Sequence, residues 1–335
     1  MKTFYLLIVF CALSIFANAK TVYFVPCSGI NPAKLFYEPH HYRDEVSIPF
    51  IRLREGLEKA GYNVQFTHDG AQLPDMAAIV VLTDFSQQLL CNLLTYPKKR
   101  CILLIFEPPV VAPHLYSEDY TPYFGEIFTM FDDVVDNKKY FKFHYPQPRS
   151  EMMADIPDFD QKKLCAMIAN NKGFAGHQNA NYVERRTLSN FFHHLNTDDF
   201  DLYGSGWEGF RNSRGTVASK WDTLKNYKFH FSYENMYKQL GYVTEKIFDP
   251  MVAGCVPVYL GASNITDYVP AECFIDRRSF SSDEALYQFL KNMDRDTYNQ
   301  YIQAIQAFLK GPKGRLFSTD HFVEFFVREI EQMNK

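Results

Sequence analysis

The chain has 335 residues, with 35 Lys+Arg against 39 Asp+Glu, a formal charge of −4 at neutral pH. Domains that grip nucleic acid by neutralising phosphates carry a strong positive excess, so that class is excluded, local basic sites aside. At 47% hydrophobic and 22% charged the composition is globular, which sets aside disorder, collagen and coiled coil, and the length predicts two domains of roughly 150 residues each. Aromatic residues reach 16%. Such rings fill cores first and also suit stacking on sugars or nucleobases.

The chain opens as a leader: Lys2, an apolar run from Phe4 to Phe16, then the small-x-small pattern Ala17-Asn18-Ala19. The run is shorter than the about 20 residues that cross a bilayer, so residues 1–19 are expected to be a cleaved signal peptide, with a short signal anchor as the alternative. No second apolar stretch of spanning length follows, and the mature chain is expected to be soluble from near Lys20.

Strands are predicted over 21–26, 63–67, 77–83 and 100–106, with helices over 48–60 and 86–95. Gly61 is expected to stop the first helix. The apolar runs AAIVVLT and RCILLIF are typical of parallel strands covered on both faces. After a polar, proline-containing stretch over 145–161 the pattern restarts, with strands over 164–169, 200–203, 227–233 and 256–260 and helices over 183–195 and 244–253. Helices over 298–309 and 321–333 finish the chain. Two α/β units in succession predict Rossmann-like domains facing a cleft, where ligands of such folds bind at the carboxyl ends of parallel strands. Outside the leader the six cysteines are scattered, several within apolar runs, and are expected to be buried thiols without CxxC or zinc spacing.

The segment 227–280 carries the most chemistry. A strand ends in Glu234-Asn235, a loop leads to Gly241-Tyr242, and a helix opens with Thr244-Glu245-Lys246. Thr244 suits a helix cap, and the amides behind it form an anion site to which Lys246 adds a charge, a combination fit for a diphosphate. Glu245 can accept two sugar hydroxyls, and Tyr242 can stack on a ring or donate to a phosphate oxygen. The same triplet also serves as ordinary capping with a solvated ion pair.

The ordered pieces Tyr227-Lys228-Phe229, Glu234-Asn235, Tyr242-Val243-Thr244-Glu245-Lys246 and Val256-Pro257-Val258-Tyr259-Leu260-Gly261 resemble the signature region of the α-1,3-fucosyltransferases, glycosyltransferase family 10. The likeness continues through Asp267-Tyr268-Val269-Pro270 and Phe274-Ile275-Asp276, and more weakly through Asp201-Leu202-Tyr203-Gly204, covering about residues 160 to 310. It implies a GT-B architecture, GDP-fucose as donor and inversion at the anomeric carbon. It also implies a donor site of Asn235, Tyr242, Glu245 and Lys246, with Lys246 on the diphosphate and Glu245 on fucose or ribose hydroxyls. The family places a phosphate-neutralising Arg early in the first donor-domain helix. Here Arg185 and Arg186 both qualify, and Arg185 fits the apolar face better, with Leu188 and Phe192 at i+3 and i+7.

In the first half, Phe106-Glu107-Pro108-Pro109 follows a buried strand where the family often shows F-E-S-P, Pro108 replacing Ser. Inverting transfer needs a carboxylate to take the acceptor proton, and Glu107 is the expected catalytic base; a turn-capping role before the prolines is the alternative. The resulting division is 20–150 for an acceptor-side domain, 160–310 for a GDP-fucose-binding domain and 311–335 for a terminal helix.

No required cofactor and no metal site are expected. Asp294-Arg295-Asp296 lies in a late helix-rich region and the histidine pairs His40-His41 and His193-His194 diverge, so fixed cations would stabilise the leaving group, although the family can be stimulated by Mn2+. Asn264-Ile265-Thr266 is a formal glycosylation sequon. The expected partners are GDP-fucose and an oligosaccharide or glycoconjugate acceptor, with a GlcNAc-type residue fucosylated in α-1,3 linkage. The leader implies a secretory or cell-envelope location, a Golgi-type lumen or a peripheral or anchored membrane association, with the cytoplasmic face as alternative. A GT-B binder without turnover, or a GT-B transferase using another nucleotide sugar, are the competing functions.

Overall fold

The computed structural model describes residues 19–27, 29–83, 85–172 and 180–335. The leader reading therefore lies outside the described residues except at Ala19, as does most of the loop before the Arg185 helix.

The first sheet is parallel throughout and has six strands: β1 (Thr21–Val25), β2 (Asn63–Phe66), β3 (Met76–Leu82), β4 (Cys101–Leu104), β5 (Glu126–Thr129) and β6 (Tyr140–Lys142), in the order β2-β1-β3-β4-β5-β6. Helices α1 (Pro32–Tyr37), α2 (Ile48–Lys59) and α3 (Gln87–Leu93) connect its early strands. Side chains alternate across a strand, so the continuous apolar runs supply two cores. Val22, Phe24, Val80 and Leu82 join Phe50, Leu53 and Leu57 of α2 on one face. Tyr23, Val25, Ile79 and Val81 join Leu89, Leu90 and Leu93 of α3 on the other. Helix α2 ends one residue before Ala60, and Gly61 takes φ +91°, the left-handed turn that glycine allows.

The second sheet has five parallel strands in the order β11-β10-β9-β7-β8: β7 (Lys163–Ile168), β8 (Phe200–Tyr203), β9 (Tyr227–Tyr233), β10 (Val256–Leu260) and β11 (Ile275–Asp276). Its helices are α4 (Tyr182–Leu195), α5 (Lys220–Leu224), α6 (Glu245–Val252), α7 (Ile265–Tyr268), α8 (Asp283–Lys291), α9 (Arg295–Lys310), α10 (Pro312–Arg315) and α11 (Thr319–Met333). On α4 the buried positions Arg185, Leu188, Ser189 and Phe192 follow helical spacing, and Phe192 stacks on Phe200 of β8 with ring centres 4.3 Å apart. Two Rossmann-like sheets facing one cleft make this a GT-B fold.

The last helix crosses back. Phe322, Phe326 and Ile330 of α11 complete the first domain's core beside Phe50, Leu53 and Leu57. At Gly56 a Cβ would lie 2.4 Å from Cγ1 of Val323, so the helices touch backbone to side chain. The halves are also joined by Tyr242 and Met236, which leave the second domain to enter the first domain's core; Tyr242 meets Phe131 edge-on at 5.5 Å. A polar latch lies alongside. Asp132 accepts from Lys142 Nζ at 2.7 Å and from Asn264 Nδ2 at 2.9 Å, and Tyr268 donates to it as well. The amide of sequon residue Asn264 is thus engaged, its Oδ1 accepting from Gly241 N at 2.9 Å. Burial favours the neutral acid of Asp132, but these donors prevail and hold its pKa below the usual aspartate range. A second bridge comes from the loop before α2: Arg43 donates to Val217 O at 3.0 Å, Asp44 accepts from Lys220 N at 2.7 Å, and Glu45 pairs with Arg149 at 2.7 Å.

Cys101, Cys165, Cys255 and Cys273 are buried free thiols. Replacing Phe192 by Ala removes the ring stacked between β8 and α4. The expected loss is about 3–5 kcal/mol of stability, read as a lower denaturation midpoint at unchanged slope.

Candidate active site

Each sheet has one place where consecutive connections leave in opposite directions, and ligands of open α/β sheets settle there. In the first sheet this is between β1 and β3, in the second between β7 and β9. The second opening has a visible cause. The β7–β9 pairing stops at Ala166 opposite His230, and Ile168 N then donates to Nε2 of the His230 side chain at 3.2 Å, so a ring replaces a strand partner and the strands part. Because Nε2 accepts, the imidazole proton sits on Nδ1, 2.8 Å from Ser232 Oγ. Burial, reinforced by Lys220, Arg185 and Lys246, drives the His230 pKa down to about 3, and the ring stays neutral.

Two cavities meet at this cleft. One, of about 220 Å³, is lined by Ile168, Asn170, Gly204, His230, Glu245 and Lys246. The other, of about 200 Å³, is lined by Phe50, Thr83, Phe106, Glu107, Tyr145 and Glu245. Lys220, Glu245 and Asp249 border both. The strand-end residues of the first sheet and the α6 entrance of the second therefore share one space.

Helix α6 begins at Thr244, whose Oγ1 accepts from Lys246 N at 3.4 Å. Glu234, at the end of β9 and 0% exposed, anchors that cap: its carboxylate accepts from Thr244 N at 2.9 Å and from Thr244 Oγ1 at 2.7 Å. Lys246 Nζ lies 3.2 Å from Glu245 Oε1 and 3.4 Å from Glu234 Oε2. Burial works against both charges of the Glu245–Lys246 pair. Lys246 and Lys220 nevertheless hold Glu245 down to about 2, and Glu245 and Glu234 raise the Lys246 ammonium, so the pair stays ionised. Lys220 supplies a second cation, Nζ 2.7 Å from Asp249 Oδ2, whose other oxygen accepts from Trp221 Nε1 at 2.9 Å.

Arg185 and Arg186 part company. Arg185 is 4% exposed, donates from Nη2 to Tyr233 O at 2.5 Å and to Asn235 Oδ1 at 3.0 Å, and keeps an Nε without a partner among the described residues. Arg186 is exposed on the next flank of α4, bonded to Asn171 Oδ1 at 3.0 Å, and borders a separate cavity of about 230 Å³ with Lys172. Asn235 ties Arg185 to the strand end and accepts Asn181 N on its carbonyl at 3.0 Å, which fixes the start of α4. Tyr242 is 1% exposed among first-domain side chains and lines neither cavity of the cleft.

Glu107 lies just past β4. Tyr116 donates to its carbonyl oxygen at 2.7 Å, and Thr83 Oγ1 accepts from Phe106 N at 3.3 Å. Thr83 sits at φ +63°, a strained setting for a β-branched residue, and functional clefts are where such strain collects. Burial raises the Glu107 pKa; Lys246 opposes and Glu245 and Glu234 add to the rise. Sequence reading missed Glu234 as an anchor, although it stands in the recognised Glu-Asn pair, and missed Lys220, Asp249 and His230, which no local spacing marks. Among the described residues no group of three or more His, Cys, Asp or Glu is arranged to hold a metal ion.

Residues 160–309 match the family model described as glycosyltransferase family 10 (fucosyltransferase) C-term. Over 100 residues the chain is 34% identical to the mouse 4-galactosyl-N-acetylglucosaminide 3-alpha-L-fucosyltransferase 9, covering 29% of this chain and 26% of the relative. Over 94 residues it is 36% identical to an alpha-(1,4)-fucosyltransferase of Arabidopsis thaliana, covering 28% and 23%. The matched stretch thus spans about a quarter of the curated relatives' length. Among solved structures, an alpha1,3-fucosyltransferase with GDP aligns over 95% of both chains with TM-score 0.58 at 14% identity. The Anabaena protein Alr3699/HepE in complex with UDP and glucose aligns over 93% of this chain and 100% of that one, also at TM-score 0.58 and at 9% identity. These likenesses speak for the fold, and residues 160–309 match the C-terminal domain of glycosyltransferase family 10, with Glu234, Thr244, Glu245 and Lys246 of the signature meeting at the α6 entrance.

Proposed function

We propose that the protein is an inverting glycosyltransferase that moves L-fucose from GDP-fucose to a hydroxyl of a glycan acceptor, in α-1,3 linkage on a GlcNAc-type residue. The observation that carries the reading is that Glu107 from the first sheet and Glu245 beside Lys246 from the second line one cavity. In this reading residues 20–150 hold the acceptor, residues 160–310 hold the donor, and the helix within 311–335 braces the acceptor side.

The diphosphate lies at the α6 entrance, where free helix amides and the Lys246 charge meet it and Lys220 adds a second fixed cation. Arg185, tied down behind the site, contributes charge from a distance, while Arg186 serves the rim. Glu245 accepts hydroxyls of the fucose or ribose. Tyr242 sets the height of the donor loop through its anchorage in the first core. As the acceptor hydroxyl attacks the anomeric carbon, Glu107 takes its proton and GDP departs from the opposite side. Fixed cations serve the leaving group, and manganese enters this reading only as a stimulant. Action in the secretory pathway or cell envelope, with peripheral or anchored membrane association, rests on the leader; among the described residues no helix is long and apolar enough to cross a membrane.

A GDP-release assay with GDP-fucose and N-acetyllactosamine, beside calorimetric titration of the same donor, tests the reading. Donor binding without GDP release would leave a binder, and preference for a UDP-sugar would replace the donor. Glu107→Gln is expected to cut turnover by about 100-fold or more while GDP affinity holds. Because the base must be ionised, kcat/KM is expected to rise with pH along a limb above the ordinary glutamate range. Lys246 lowers the Glu107 pKa, so residual activity of Lys246→Met should titrate at higher pH than the parent. Lys246→Ala is expected to weaken GDP binding by about 10- to 100-fold, the scale of a lost charge-assisted contact.

A further inference from the structure

The second cavity contains a hydroxyl that the reaction has not yet used. Tyr145 follows β6 and lines this cavity with Phe106, Glu107 and Glu245. Its ring and that of Phe106 stand edge to face, 5.6 Å apart and at 81°, while Ile30, Leu35, Phe50 and Leu82 make an apolar wall. Tyr145 is half-buried, and among the described residues its hydroxyl makes no hydrogen bond, which leaves it available to a ligand. Burial, then the charges of Glu245 and Glu107, raise its pKa well above the usual phenol range. It is therefore a neutral donor at any working pH and cannot act as a base.

A pyranose shows an apolar face and a polar edge, and this cavity offers both counterparts: aromatic rings for the face, and for the edge an uncommitted O–H in a cavity that Glu107 and Glu245 also line. We propose that Tyr145 is an acceptor-binding residue of the transfer reaction, its ring and Phe106 cradling the acceptor pyranose and its hydroxyl donating to an oxygen substituent beside the hydroxyl that Glu107 deprotonates. The inference rests on the transferase reading above and adds to it a residue that orients the acceptor ring.

Tyr145→Phe keeps the ring and removes only the donor; Tyr145→Ala removes both. With N-acetyllactosamine as acceptor, Tyr145→Phe is expected to lose about tenfold or more in kcat/KM for acceptor, and Tyr145→Ala about 100-fold. GDP-fucose affinity by calorimetry and the melting temperature of Tyr145→Phe should match the parent. Parental transfer by Tyr145→Phe, or a fall in donor affinity that parallels its rate, overturns the assignment of Tyr145 while leaving the transferase reading standing. A parent protein that releases no GDP from GDP-fucose with any acceptor defeats that reading first and this inference with it.

Discussion

The site depends on one buried carboxylate. Glu234 has no contact with solvent and gives its oxygens to the backbone and hydroxyl of Thr244 and to the neighbourhood of Lys246. An isolated carboxylate in such a place would be expelled or protonated, and it persists because donors converge on it. Those donors are the opening residues of α6. The anchor thereby fixes the direction in which the helix amides and the Lys246 ammonium point. Glu245, one residue along, is kept ionised by a lysine on either side. The charges of the cleft are thus ordered by groups below its surface.

That order matters because the opposing domain is held at a fixed height. Tyr242 belongs by sequence to the loop before α6 and by packing to the first domain's core, and Asp132 gathers Lys142, Tyr268 and Asn264 next to it. At Gly241, between these two ties, a Cβ would lie 2.5 Å from Met130 O, so the loop passes against the other domain's backbone where only glycine fits. The ties bring the strand-end segment carrying Glu107, steadied by Thr83 and Tyr116, to the cavity that Glu245 also borders.

Much of this was legible from sequence because the long apolar strands could be nothing else. Runs such as 77–82 and 256–260 are buried on both faces, and their continuity told them apart from half-exposed strands. Strands β5 and β6 were not anticipated; they have four and three residues, and β6 is only half-buried, so periodicity has too little to act on. Helical spacing put Arg185 on the buried face and Arg186 outside it, as found. Spacing along the chain carried no sign that Lys220 and Asp249 would pair across 29 positions, that His230 would take a strand's place in the ladder, or that Tyr242 would pack into the first domain's core. Those facts belong to the meeting of two domains. The sequon showed the same limit, since a three-residue pattern is blind to the aspartate 132 positions away that claims the Asn264 amide.

The return of α11 onto the first domain has a consequence for biosynthesis. Phe322, Phe326 and Ile330 are synthesised after every strand of both sheets, yet they seal the hydrophobic interior of the first domain. That domain must wait with an oily flank around Phe50 and Leu53 exposed until this helix has been made, and nascent chains with uncovered apolar surface are the ones that chaperones hold and aggregates recruit. The half synthesised second can close its own interior earlier, so maturation runs against the direction of synthesis, and the final stitch is a helix rather than a strand.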